Sequence, residues 1–151
     1  MNTKLPFLTF FAVFIVTMVL YFSVNPSYEK SLQAKFYYEI GEYKDAYTLS
    51  KEAFGLDVYN RMASTIMTQS QTSLKFVNYI DDAKKYIAQI NEMANKEYLE
   101  DSDKAKIKTI SAIMILRYKK LAPSVITDKK LVEDTKNYYL KFEKLIEKVN
   151  Q

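Results

Sequence analysis

Apolar positions recur three and four residues apart along nearly the whole chain, the spacing of one face of a helix. Residues 5–24, LPFLTFFAVFIVTMVLYFSV, are different: they carry no charge and show no polar face. After them Leu32, Phe36 and Ile40, with Tyr37 alongside, form a first stripe. Tyr43, Ala46, Tyr47 and Phe54, with Ala53 alongside, form a second. Gly41 and Gly55 follow the two stripes, each where a left-handed C-cap would end a helix. A link of about two residues folds the two helices antiparallel. Ala34, Ala46 and Ala53 are small, so the backbones can approach closely. Asn25-Pro26 reads as the N-cap and first helical position of the first of these helices.

Tyr59, Met62, Ala63 and Ile66 open a third helix. The polar run TQSQTS at 68–73 dilutes its pattern, Leu74, Phe76 and Val77 resume it, and Asn78 is a plausible turn. A fourth helix follows on Ile80, Ala83, Ile87, Ile90 and Ala94, with Asp81 and Asp82 in its first turn, where negative charge suits the helix dipole. The charged segment 96–104 breaks the pattern. A fifth helix, capped by Asp101 or Ser102, runs through Ile107, Ile110, Ile113, Met114 and Leu121. Its run IMIL at 113–116 is apolar on several sides, which predicts the most buried helix of the chain. Arg117, Lys119 and Lys120 fall in its last turn and Ala122-Pro123 ends it. Thr127 or Asp128 starts a sixth helix with Leu131, Tyr138, Phe142, Leu145 and Val149 on one side. Strand-like alternation is absent. The expected fold is all-α: an N-terminal transmembrane helix, then about six helices in stacked antiparallel hairpins. The expected parts are residues 1–25, a short tail and anchor, and residues 26–151, a helical domain.

The hairpin at 34–58 resembles the tetratricopeptide repeat. That family wants a small residue, an aromatic, Gly, a second aromatic, two Ala and a Pro at fixed spacing. Those places hold Ala34, Tyr37, Gly41, Tyr43, Ala46, Ala53 and Val58, so six of the seven fit. The early Trp position holds Lys30, the Leu position Gln33 and the late aromatic position Ser50, and the Pro is missing. Ala83 stands as the counterpart of Ala46 in a second, longer repeat that matches in shape more than in letters. The third pair of helices carries no repeat signature and reads as a cap. The resemblance implies stacked hairpins that present a groove to protein partners. If the first helix of each pair lines the concave side, Tyr38 faces partners together with Arg61, Thr65 and Gln69, which share one polar helix face.

A bilayer crossing takes roughly 20 apolar residues. The run 5–24 is longer than a typical cleavable signal, lacks an A-x-A site and is followed by Pro26, which predicts an uncleaved anchor contacting lipid. Lys4 and the terminal amine on one side, and Lys30 and Lys35 on the other, nearly balance. A short head before a long tail favours an inner-membrane, single-pass protein with its C-terminal domain on the extracytoplasmic, periplasmic side. Since Asn25-Pro26 leaves almost no linker, the domain is expected to lie against the membrane surface.

Composition narrows the chemistry. His and Cys are both absent, which removes the common general base, the thiol nucleophile and most zinc or haem sites. Two glycines beside helix ends build no phosphate cradle. Glu100, Asp101 and Asp103 lack the Gly and Glu that a calcium loop counted from Asp101 requires, and read as a cap with solvated charge. No catalytic residue, cofactor or metal is expected, and the chain is not expected to be an enzyme. The net charge of +4 is modest, and Glu and Asp interleave with Lys, so nucleic acid is an unlikely partner. Lys119-Lys120 and Lys129-Lys130 bracket the 122–127 turn and suit anionic lipid headgroups. The thirteen tyrosines serve mainly as core residues with hydroxyls at the rim, Tyr38 being the best exception. The expected function is a membrane-anchored protein-interaction scaffold or assembly factor for an envelope complex. The alternatives are an integral accessory subunit of a membrane machine, and a lipid-surface or nucleic-acid binding module.

Overall fold

The computed structural model describes residues 4–149. The terminal amine expected to flank the apolar run lies outside them. The described residues are helical without any strand: α1 Lys4–Val24, α2 Pro26–Glu39, α3 Tyr43–Leu56, α4 Arg61–Ala94, α5 Asp101–Tyr118 and α6 Lys129–Val149. Two compact units result, residues 1–70 and 71–151.

In the first unit α2 and α3 form the expected hairpin. Asn25 caps α2, its side chain accepting the Tyr28 N–H, with Pro26 at the first helical position. Gly41 ends the helix at φ +86°. Its N–H donates to the Tyr38 carbonyl at 3.2 Å and the Glu42 N–H donates to the Tyr37 carbonyl at 2.9 Å. This pair of bonds defines a Schellman turn, which needs a residue without a Cβ penalty at positive φ. Ala34, Ala46 and Ala53 are fully buried, as their size suggested. Ala34 and Ala46 pack with Ile66 of α4, beside Tyr37, Tyr38, Leu49 and Met62.

Three expectations are corrected here. Gly55 does not stop α3: the helix runs through it to Leu56, and the cap is Asp57 in extended backbone. A Cβ at Gly55 would meet nothing within 4 Å, so this glycine answers no steric demand. The stripe Leu32, Phe36, Ile40 does not face the core, and its members are 55%, 59% and 55% exposed. The inner face of α2 is instead Ser27, Ser31 and Ala34, because only small residues fit the close approach of α3. The third and fourth helices are one, α4, with Asn78 inside it, so five helices follow α1 instead of six. Segment 61–94 contains no Gly or Pro to interrupt a helix. The polar run supplies Ser70 and Ser73, which continue the buried stripe of Ala63, Ile66, Phe76, Tyr79 and Ala83.

The junction of α2, α3 and α4 is polar and closed to water. Asn60 caps α4, its side-chain oxygen accepting the Ala63 N–H at 3.1 Å. Its side-chain nitrogen donates to Ser27 Oγ at 2.9 Å and to Ser31 Oγ at 3.2 Å. Ser27 passes its own proton to the Ala53 carbonyl, near the end of α3, and Ser31 to the Tyr28 carbonyl. Asp57 holds the approach by accepting the Tyr59 N–H at 2.9 Å.

In the second unit the later part of α4 packs with the α5–α6 hairpin. Tyr79, Ala83, Ile90, Ile107, Met114 and Phe142 form its buried core, with Tyr138, Leu145 and Val149 at the margin. Asp128 caps α6, accepting the Lys130 N–H at 2.7 Å and the Leu131 N–H at 3.3 Å. The N-cap of α5 is Glu100 without a side-chain bond, not Asp101 or Ser102. Nor is the IMIL run wholly buried: Ile113 and Leu116 are exposed, because α5 buries only the stripe Asp103, Ile107, Ser111 and Met114.

Since Asn60 ties α4 to α2 and, through Ser27, to α3, Asn60→Ala should remove the α4 cap and the donor that both serine hydroxyls accept, while those hydroxyls keep their bonds to the Ala53 and Tyr28 carbonyls. A loss of about 1–3 kcal/mol is expected in chemical unfolding, from the missing cap and the lost hydrogen bonds at about 0.5–2 kcal/mol each. A loss under about 0.5 kcal/mol, the size of an ordinary surface change, would show that the network carries no weight.

Candidate functional site

The described side chains offer surfaces and grooves. No three acidic groups among them converge on a point that could hold a metal. Asp103, considered for calcium, is buried and accepts from Lys96 Nζ at 2.8 Å. The Lys96 ammonium, hydrogen-bonded to it, holds the Asp103 carboxyl below the usual carboxylate range, and the same bond raises Lys96.

The residues expected to face a partner lie in the first unit. Arg61 and Thr65 are exposed on α4, and Gln69 is half-buried one turn further along. Tyr38 is not a free surface ring. It is half-buried on the Ala34, Ala46, Ile66 core, edge-on to Tyr43 with ring centroids 5.4 Å apart. Tyr37, expected to occupy the hairpin interface in its place, is half-buried beside it. Arg61 and Thr65 therefore form the accessible part of the expected surface, and Tyr38 belongs to the hairpin core.

The uncharged run read from the sequence as an anchor forms an extended apolar surface of this unit. Phe7, Phe10, Phe11, Phe14, Val16 and Val19 are all exposed, so α1 is uncovered along its described side chains from Pro6 to Tyr21. Among the described residues no single helix is long and apolar enough to cross a membrane. The stretch Pro6–Tyr21 passes that test only as a bent pair with α2. At the corner of α1 and α2 a groove of about 950 Å³ opens between Val19, Tyr28, Leu32, Phe36 and Tyr37, with the polar Glu29 and Gln33 also in its lining.

The second unit holds two smaller grooves. One, of about 460 Å³, lies between Gln89, Met93, Lys106 and Ile110. The other, of about 330 Å³, has Ile87 and Leu145 at its floor with Lys141, Lys144 and Lys148 around it. Lys119, Lys120, Lys129 and Lys130 are exposed on either side of a tight turn. Ser124 and Thr127 close that turn, the Ser124 N–H donating to Thr127 Oγ1 at 2.9 Å and the Thr127 N–H to the Ser124 carbonyl at 3.0 Å. Its two central residues, Val125 and Ile126, are exposed.

Tyr79, Tyr118 and Tyr139 of this unit are structural. Tyr118 stacks on Tyr139 at 4.2 Å and leans on Tyr79 at 6.0 Å. The Tyr139 hydroxyl donates to Glu143, which raises its pKa, and Arg117 clamps α5 to α4 through Asp82 at 2.7 Å. Burial pushes the Tyr79 phenol well above its ordinary value. Its hydroxyl is buried with no hydrogen-bond partner among the described residues.

Compared with known proteins, the chain matches no protein-family model, no curated protein and no solved structure.

Two outcomes follow from the ionisable groups. Tyr79→Phe removes an unpaired buried hydroxyl, whose burial costs about 1–3 kcal/mol, and keeps the ring. Thermal unfolding should show equal or higher stability, and a drop of more than about 1 kcal/mol would mean that the hydroxyl has a partner. The Asp103 carboxyl is lowered in the folded state, so its contribution is present above the unfolded value of about 4 and is lost as pH falls through the lowered folded value. In that acid window the native chain should lose stability more steeply than Asp103→Asn. Parallel curves in urea titrations across the window would rule the pair out as a source of acid sensitivity.

Proposed function

We propose that the chain is a membrane-anchored scaffold or assembly factor for a larger envelope complex, held by α1 and binding protein partners through the helices that follow. The observation carrying this reading is the surface of α1. A helix that is apolar all round needs a cover, and nothing in its own unit covers it. The uncharged run 5–24 has roughly the length of a bilayer crossing. On this reading the chain sits in the inner membrane with its C-terminal domain on the extracytoplasmic side.

Protein binding is the function that remains once chemistry is set aside, and the first hairpin supports it. Its buried Ala34, Ala46 and Ala53 and the Schellman turn at Gly41 are the features of a tetratricopeptide-like hairpin. Arg61 and Thr65 give that hairpin's neighbour an exposed polar face. An accessory-subunit role is the second reading, favoured by the exposed Phe7, Phe10, Phe11 and Phe14, a ridge suited to packing against another membrane helix.

The test uses the full chain in native membranes. It should remain in the pellet after carbonate washing at its full mass. Arg61→Ala combined with Thr65→Ala should lower the recovery of crosslinked partners. Because both residues are exposed, stability should move by no more than about 0.5 kcal/mol. Release by carbonate would overturn the anchor, and unchanged recovery would overturn the polar face as the binding surface.

A further inference from the structure

α2 is built inside out. Ser27, Ser31 and Ala34 point into the hairpin, and the large apolar residues Leu32, Phe36 and Ile40 point away from it. They lie four residues apart, so they form one continuous ridge along the outer side of the helix. An apolar ridge of this kind is ordinarily the buried side.

Its position indicates what covers it. A single residue, Asn25, separates α2 from α1, and that residue is committed to capping α2. The ridge therefore begins where the apolar surface of α1 ends, and no linker can carry it elsewhere. The groove at the corner joins the two surfaces, with Val19 from α1 and Leu32 and Phe36 from α2 along its walls. Aromatic rings gather at the same level: Tyr21 and Tyr28 meet across the junction with centroids 6.1 Å apart. Tyrosine favours the headgroup level of a bilayer, where its ring is in apolar surroundings and its hydroxyl is wet. The charges of α2 are arranged compatibly. Lys30 pairs with Glu52 of α3 at 2.7 Å and Lys35 with Glu39, while Glu29 accepts from Gln33. Four charged residues exclude α2 from the hydrocarbon core, and helical spacing puts Glu29, Gln33 and Glu39 on the same side as the apolar ridge, a mixture that fits the headgroup level and not the acyl interior.

We propose that α2 is an interfacial helix lying along the headgroup–acyl boundary of a phospholipid bilayer. Leu32, Phe36 and Ile40 face the acyl chains, and a phospholipid occupies the groove at the α1–α2 corner. The inference rests on the reading of α1 as an anchor. It adds that the membrane is a packing partner of the hairpin as well as its point of attachment.

The chain has no cysteine, so single-cysteine variants of the full protein can carry an environment-sensitive fluorophore at one chosen place. Leu32→Cys and Phe36→Cys report the ridge, and Lys44→Cys, exposed on α3, serves as the comparison. Each is reconstituted into vesicles of phosphatidylcholine and phosphatidylglycerol, floated after carbonate treatment, and quenched with lipids spin-labelled near the headgroup. Circular dichroism checks that each variant keeps its helix content. The expected result is flotation of all three, with blue-shifted emission and severalfold stronger quenching at Leu32 and Phe36 than at Lys44. Flotation with equal quenching at the three positions would overturn the interfacial helix and leave the anchor standing. A blue shift at Leu32 and Phe36 without lipid quenching would also overturn it, since protein would then cover the ridge. Failure to float would overturn both the anchor and the inference that rests on it.

Discussion

One amide holds the first unit in register. The α2–α3 contact is made by small residues, so it offers little apolar area, and little hydrophobic free energy, to fix how the helices are aligned. Asn60 supplies the missing specificity. It sits at the start of α4, spends its oxygen on the α4 cap, and spends its two N–H groups on serines one helical turn apart on α2. Ser27 continues the chain of bonds to the Ala53 carbonyl near the end of α3. Every polar atom in this chain of bonds has a partner, which is the condition under which a buried polar network favours one arrangement over its neighbours.

The same economy of size recurs elsewhere. Ser50, at the place where a tetratricopeptide repeat would carry an aromatic, is fully buried and bonds back to the Ala46 carbonyl at 2.6 Å. Thr135 on α6 is also fully buried and bonds back to the Leu131 carbonyl at 2.8 Å. A hydroxyl satisfied by its own helix is neutral toward its neighbour. It therefore lets a second helix approach without asking it for a partner. In the second unit larger residues return, and Tyr79, Phe142 and Met114 set a wider spacing filled by side chains. There the orientation is fixed at the margins, by Arg117 with Asp82 and by Lys96 with Asp103.

What the sequence revealed was local. Asn25-Pro26, the turn at Gly41, the Asp128 cap and the apolar side of α6 are each decided by residues within one or two turns, and each was readable. The errors came where a local rule met a distant partner. Six polar residues at 68–73 read as a break in a hydrophobic pattern. Nothing in them breaks a helix, and Ser70 and Ser73 lie on its buried side. Asn60 was overlooked because its partners lie roughly thirty residues away on α2. The exposure of Arg61 and Thr65 followed from spacing alone. Tyr38 did not, since its burial depends on Tyr43 beyond the turn and on Ile66 of α4.

The misreading of α2 is the most instructive, because the rule that failed contains an assumption about solvent. An apolar stripe faces inward only if the outside is water. Leu32, Phe36 and Ile40 are a little over half exposed, so each forgoes roughly half of the about 1.5–3 kcal/mol that full burial contributes. The sum of a few kcal/mol is a sizeable fraction of the about 5–15 kcal/mol stability of a small domain. Turning the stripe inward is no remedy, because its bulk would push α3 away and break the serine contacts with Asn60 and the Ala53 carbonyl. On the proposed membrane reading, the bilayer lies outside α2. The helix one residue upstream carries the same demand on all its faces. A single apolar medium against both surfaces satisfies the two demands together, whereas separate protein partners would each have to match a different shape. The constraint that makes α2 look inverted in isolation is thus the same one that leaves α1 bare.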